Sequence, residues 1–148
     1  MMVIKMDRSG QPDQDNWQTP QWLYDELDKE FSFTFDPCPL YADFDGTAIE
    51  WGNSNFINPP YCKSTSSKKG KDDFIKKAYH QWKKGKTCVL LIPAATGTKV
   101  FHEYIYPYAE IRFVRGRIAF VEPIKPRNSK ATKKGKHDSM IVIFRAKK

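Results

Sequence analysis

The chain has 148 residues, a formal net charge of +8, and 40% hydrophobic and 14% aromatic residues, enough for one packed core and too apolar for a disordered chain. No apolar run approaches the roughly 20 residues of a membrane-spanning helix. Cys38, Cys62 and Cys88 are odd in number and lack zinc-type spacing, so reduced thiols in a cytoplasmic setting are expected.

Residues 1–15 are polar, lack a signal-peptide core, and read as a flexible lead-in to a single domain over residues 16–148. Thr19 and Pro20 predict the start of a helix over 21–29, with Thr19 as N-cap and Pro20 at the first position. The alternation Phe31-Ser-Phe-Thr-Phe35 predicts a strand ending at Asp36-Pro37. Residues 55–58 predict a second strand, which Pro59 and Pro60 must end because proline supplies no ladder donor.

A Ser/Lys/Gly loop follows at 62–71. Helical spacing of Phe74, Ile75, Ala78, Tyr79 and Trp82 predicts a helix over 72–84, with Tyr79 and Trp82 read as core residues. The apolar run 87–92 predicts a strand buried on both faces. Then come a helix at 97–106, strands at 110–114 and 117–121, a basic loop at 122–138, and a strand at 139–144 expected to pair with 117–121. Alternation in the middle of the chain implies an α/β fold, a mostly parallel sheet with an antiparallel C-terminal hairpin.

Ligands of an open α/β sheet bind outside the carboxyl ends of its strands. Asp36-Pro37 and Asn58-Pro59-Pro60-Tyr61 both fall at such ends, so parallel neighbouring strands would bring them into one crevice. An exocyclic base amine has two N–H donors. The Asn58 side-chain oxygen can accept one and the Pro59 carbonyl the other, while Tyr61 can stack on the base for roughly 1–3 kcal/mol. Such a site suits direct displacement at an incoming methyl group, with no metal and no covalent enzyme intermediate. A base within a duplex would have to be flipped out to reach it.

Charge points to a polyanion. Between Lys63 and Lys86 there are nine lysines against Asp72 and Asp73, and between Lys125 and Lys136 six basic residues and no acid. Two such clusters favour nucleic acid over solvated loops alone. Lys63, Lys68, Lys69 and Lys71 follow the Asn58 motif and are placed to reach the backbone beside a flipped base. Lys133 and Lys134 belong to the second cluster. Arg112, Arg115 and Arg117 flank a turn and suit phosphates, with an exposed alternating face as the simpler reading. His80, His102 and His137 are isolated and carry no catalytic assignment.

Taken together, the ordered motifs Trp17-Gln18-Thr19-Pro20, Phe35-Asp36-Pro37-Cys38, Asp45-Gly46 through Trp51, Asn58-Pro59-Pro60-Tyr61, Leu91-Ile92-Pro93-Ala94 and Gly116-Arg117-Ile118-Ala119-Phe120 resemble the phage-type, Dam-like DNA N6-adenine methyltransferases. The resemblance implies a Rossmann-like methyltransferase fold, S-adenosylmethionine as donor and adenine in DNA as acceptor. It implies catalytic roles for Asn58, Pro59, Pro60 and Tyr61, and donor-binding roles for Trp17, Thr19, Pro20, Asp36, Pro37 and Asp45, the last of which also reads as an Asp-Gly turn. No Gly-x-Gly follows Asp36, and only 21 residues separate it from Asn58, so a trimmed sheet is expected. An RNA base or a protein glutamine amide as acceptor, or a non-catalytic nucleic-acid-binding module, are the alternatives. Oligomeric state is not legible.

Overall fold

The computed structural model describes residues 17–39, 42–61, 69–123 and 125–147. The lead-in 1–15, Lys63 and Lys68 lie outside them. Helix α1 (Gln21–Phe31) buries Leu23, Leu27 and Phe31. It runs past the expected end because Ser32 takes the left-handed conformation (φ 49°) and returns its N–H to the Asp28 carbonyl at 2.8 Å. Phe31 is therefore helical, and the strand expected over 31–35 is reduced to one parallel bridge, Phe35 to Asn55. Pro20, with extended φ and ψ, stands at the N-cap position in place of Thr19.

Strand β1 (Ser54–Ile57) leads by way of α2 (Lys71–Lys83) to the parallel strand β2 (Thr87–Pro93). The Gly70 N–H donates to Asp73 Oδ2 at 3.1 Å at the α2 N-terminus. The helix expected next holds a π-helical turn, Phe101–Ile105, where Tyr106 N–H reaches back five residues to Phe101. Strands β3 (Glu110–Phe113), β4 (Ala119–Phe120), β5 (Lys133–Lys134) and β6 (Ser139–Phe144) complete the chain.

The main sheet has the order β1-β2-β6-β3, with β6 antiparallel to both neighbours. Two expectations are thus corrected: the sheet is not mostly parallel, since only the β1–β2 pairing is, and β6 does not pair with 117–121 but inserts between β2 and β3, while β4 pairs with β5 in a separate two-stranded ribbon. All six residues of β6 are buried, which a central strand requires and an edge hairpin does not.

The sheet is covered on both faces. Cys88, Leu90, Ile92, Met140 and Val142 face Phe74, Ile75, Ala78, Phe101 and Ile105 of α2 and the π-helical turn. Val89, Leu91, Ile141 and Ile143 face Leu23, Leu27 and Phe31 of α1, with Ile118 and Phe120. Tyr79 and Trp82 pack at the margin of the first cluster, as expected.

The irregular segment after Asp36 is held by close packing. Gly46 sits against the Pro37 carbonyl and Phe74, where an added Cβ would collide with Pro37 backbone. Trp51 Nε1 donates to the Gly46 carbonyl at 2.6 Å. Gly46→Ala is expected to lower unfolding free energy by about 1–3 kcal/mol in a urea titration. Gly97→Ala, with nothing within 4 Å of the new Cβ, should change little.

Candidate active site

Phe35 pairs with Asn55 through Phe35 N–H to Ser54 O at 3.2 Å and Phe56 N–H to Phe35 O at 3.1 Å. Asp36 and Asn58 consequently follow parallel paired segments toward the same, carboxyl, end of the sheet. Asn58 Nδ2 donates to the Trp17 carbonyl at 3.3 Å. That bond uses the amino side of the amide and leaves Oδ1 as acceptor. Pro59 is buried and Pro60 half-buried, so the backbone behind Asn58 is fixed. The Tyr61 hydroxyl donates to the Leu91 carbonyl of β2 at 3.2 Å, and its burial raises the phenol pKa. The half-buried Tyr61 ring is thereby tethered at its hydroxyl end to the neighbouring strand.

On the Asp36 side, Cys38 N–H donates to Asp36 Oδ1 at 2.8 Å, closing a local turn. Desolvation pushes the Asp36 carboxyl from 3.8 up to about 6, against the opposing pull of that N–H and of Arg127. Pro37 is buried. Thr19 is 2% exposed, and its Oγ1 has no hydrogen-bond partner among the described residues. Losing the N-cap position to Pro20 is what leaves that hydroxyl uncommitted.

Asp45 forms the Asp-Gly turn foreseen for it. Its Oδ1 accepts from the Thr47 hydroxyl at 2.6 Å and the Thr47 N–H at 2.9 Å, and these bonds, the hydroxyl first, lower its pKa. Because Gly46 packs on Pro37, the same turn also lies beside the Asp36-Pro37 segment.

Two residues at this end were missed. Arg127 stacks on Tyr24, its guanidinium carbon 4.4 Å from the ring centroid. Both residues act electrostatically on or with Asp36. The signal was slight: Arg127 is the one arginine in a lysine-rich loop, 122–138, and a planar guanidinium suits an aromatic face better than an ammonium does.

That loop is anchored to the Trp17–Pro20 segment. Gln18 and Val121 exchange backbone bonds at 2.9 and 3.0 Å, and Gln18 Nε2 donates to the Glu122 and Lys125 carbonyls at 3.0 and 2.6 Å. Chain topology places its ends at the same end of the sheet, the carboxyl end of β2, since the segment leaves after β3 and returns at Ser139 beside Pro93. Lys134 is exposed, while Lys133 contributes backbone to β5. Lys69 is exposed and the half-buried Lys71 opens α2. Arg117 is exposed, with Asp138 only at 4.0 Å.

Arg112 is occupied elsewhere. It forms a two-bond pair with Glu30, both at 2.7 Å, in a network with Arg145 and Glu110 that holds Glu30 at about 2. Glu110 opens β3 and Arg145 follows β6, so this network lies at the opposite end of the sheet.

The Asp36 shift carries a stability consequence. A carboxyl whose pKa rises on folding favours the folded state most below its unfolded value of 3.8, and that advantage is lost as pH rises to about 6. Asp36→Asn is therefore expected to gain stability relative to the parent between pH 4 and 6, levelling off above, by about 2–3 kcal/mol. Thermal melts across this range check the sign.

A family model described as DNA N-6-adenine-methyltransferase (Dam) matches residues 7–148. No curated protein matches the chain. With a family match running over nearly its whole length, the chain belongs to the DNA N-6-adenine-methyltransferase (Dam) family.

Proposed function

We propose that this protein transfers a methyl group from S-adenosylmethionine to the N6 amino group of adenine in DNA. The orientation of Asn58 carries the reading. With Nδ2 bound to the Trp17 carbonyl, Oδ1 is presented as an acceptor at a strand end shared with Asp36. The carbonyl of the buried Pro59 offers a second acceptor, so both N–H donors of an adenine amine can be met. The half-buried Tyr61 ring offers a surface for the base.

The residues on the other side of the crevice suit the donor. Thr19 Oγ1 and Arg127 Nε are buried without hydrogen-bond partners among the described residues, and such atoms call for a ligand or water. Asp36 is a desolvated carboxyl that a cationic ligand would compensate. In this reading Trp17, Thr19, Pro20, Asp36, Pro37 and Asp45 hold the donor. The trimmed Rossmann-like methyltransferase fold expected from the motifs accommodates it without a glycine-rich loop, through three separate segments meeting at one end of the sheet.

When bound, S-adenosylmethionine supplies an electrophilic methyl carbon on a sulfonium. Asn58 and Pro59 draw the amine lone pair out of conjugation and aim it. The carbon–nitrogen bond forms as the carbon–sulfur bond breaks, its electron pair stays on sulfur, and the amine proton leaves to solvent afterwards. No side chain need act as a base, which agrees with the isolated histidines. Orientation and dry surroundings do the catalytic work.

Asn58→Ala is expected to lower methyl transfer to adenine in DNA by at least about 100-fold, read with isotopically labelled donor across varied DNA substrates. Undiminished transfer by the variant, or none by the parent, would overturn the proposal. Methylation of RNA or protein with DNA left untouched would reassign the acceptor.

Basic residues at the site edge supply DNA contacts in this scheme: Lys63, Lys68, Lys69, Lys71, Arg117, Lys133 and Lys134. Lys134→Ala should weaken binding alike for all DNA sequences and reduce the slope of log affinity against log salt by about 1. Fluorescence anisotropy over a salt series measures this slope.

A further inference from the structure

Strand β3 closes one edge of the main sheet, with β6 on one side and no strand on the other among the described residues. Just past it, the Val114 N–H donates to the Ser139 carbonyl at 3.0 Å. Hydrogen-bonded pairs alternate along an antiparallel ladder. Arg112 and Glu110 therefore turn their backbone groups toward β6, and Ile111 and Phe113 turn theirs outward. Glu110, Arg112 and Phe113 are exposed, so this outward row faces solvent. Edge strands are commonly guarded by lysine, proline or a bulge. The four residues of β3, Glu-Ile-Arg-Phe, include neither lysine nor proline, and they pair with β6 in unbroken register. The charged side chains of β3 lean to the α1 side, where Arg112 bonds Glu30 and Arg145 bonds Glu110. The other side is apolar. Ala109 and Ile111 pack on the cluster beneath α2, and Phe113, on the same side as Ile111, is 64% exposed.

We infer that β3 pairs with β3 of a second copy of this chain, antiparallel, about a twofold axis at Ile111. The strand is self-complementary in that register. Ile111 and Ile111 of the second copy exchange their outward N–H and carbonyl groups. The outward Phe113 N–H meets the Ala109 carbonyl of the second copy, whereas the Ala109 N–H is spent on the Ile105 carbonyl at 2.8 Å. Glu110 falls opposite Arg112 of the second copy, a favourable cross-strand pair. These pairs join two charge networks, each balanced with two carboxylates and two guanidiniums. On the apolar side, Phe113 lies opposite the small Ala109 of the second copy and diagonal to its Ile111. Moving the axis to Glu110 or to Arg112 sets like charges opposite each other, so charge selects the Ile111 register. This self-complementarity favours a second copy over an unrelated strand. Strand β3 is also the farthest in the sheet from β1, so the pairing leaves the Asn58 end of both copies uncovered. The contact is small, and a dissociation constant on the order of micromolar or weaker is expected.

Sedimentation velocity on the full chain, over a concentration series up to roughly 0.5 mM, tests the pairing. Wild type should dimerise reversibly. Phe113→Asp, at an exposed position, should raise the dissociation constant by at least about 10-fold. Phe113→Ser provides the same readout if the aspartate variant does not fold, with circular dichroism checking each variant. Glu110→Arg sets arginine opposite arginine in the dimer, and Arg112→Glu sets glutamate opposite glutamate. Each alone should associate at least about 10-fold more weakly. Mixed, the two variants are complementary at both cross-strand pairs and should recover association to within about threefold of wild type. A purely structural role for these residues inside one copy gives no such recovery. A wild type that stays monomeric across the range overturns the inference, even where the edge takes up an extended peptide of another protein. So does a dimer insensitive to Phe113→Asp or to the single charge reversals, or a mixture that associates as weakly as its components.

Discussion

The parallel pairing of Phe35 with Asn55 is the constraint on which the site depends. One bridge, with its bonds to Ser54 and Phe56, brings Asp36 and Asn58 to the same end of the sheet although 21 residues separate them. Asn55 secures that register from inside. It is fully buried, and its side chain bonds Gly52 in both directions and the Thr87 carbonyl. Two asparagines three residues apart thus divide the labour. Asn55 spends its whole amide on the fold, whereas Asn58 spends only the amino half on Trp17 and keeps its oxygen.

Polar groups at this end stand apart from those of the rest of the molecule. At the opposite end, Glu30, Arg112, Arg145 and Glu110 satisfy one another, as do Glu50, Lys84 and Lys86 on the surface. At the other end, the Asp36 carboxyl is desolvated, the Thr19 hydroxyl lacks a partner among the described residues, and Arg127 rests on a ring. Unmet polar groups cost stability. The β2–β6 pairing and the apolar layers on both faces supply the rigidity that tolerates this local deficit.

Elements with a strong local signal were legible in the sequence. The apolar run of β2 and the helical spacing of α2 each had one period and no competitor. The prolines after Asn58 could only end a strand. Weaker segments were decided by neighbours. The Phe-Ser-Phe-Thr-Phe alternation lost Phe31 to the helix because a left-handed Ser32 lets α1 complete its buried face. Residues 117–121 kept only two strand residues, because their expected partner, β6, is taken up between β2 and β3. The β6 register buries all six of its side chains, a gain no short edge ribbon offers.

The sequence by itself determined that a strand ends at Asn58, that Asp36-Pro37 ends another extended segment, that basic residues flank the later half, and that these motifs resemble one methyltransferase family. Those properties follow from proline's missing donor, from periodicity and from charge, all local. Only the tertiary structure decided which way the Asn58 amide faces, that Thr19 gives up capping α1, and that Arg127 returns from a distant loop to lie over Tyr24. Each of these depends on a partner 41 or more residues away or on competition for a single helix position, and contacts between distant segments leave no periodic trace in the chain.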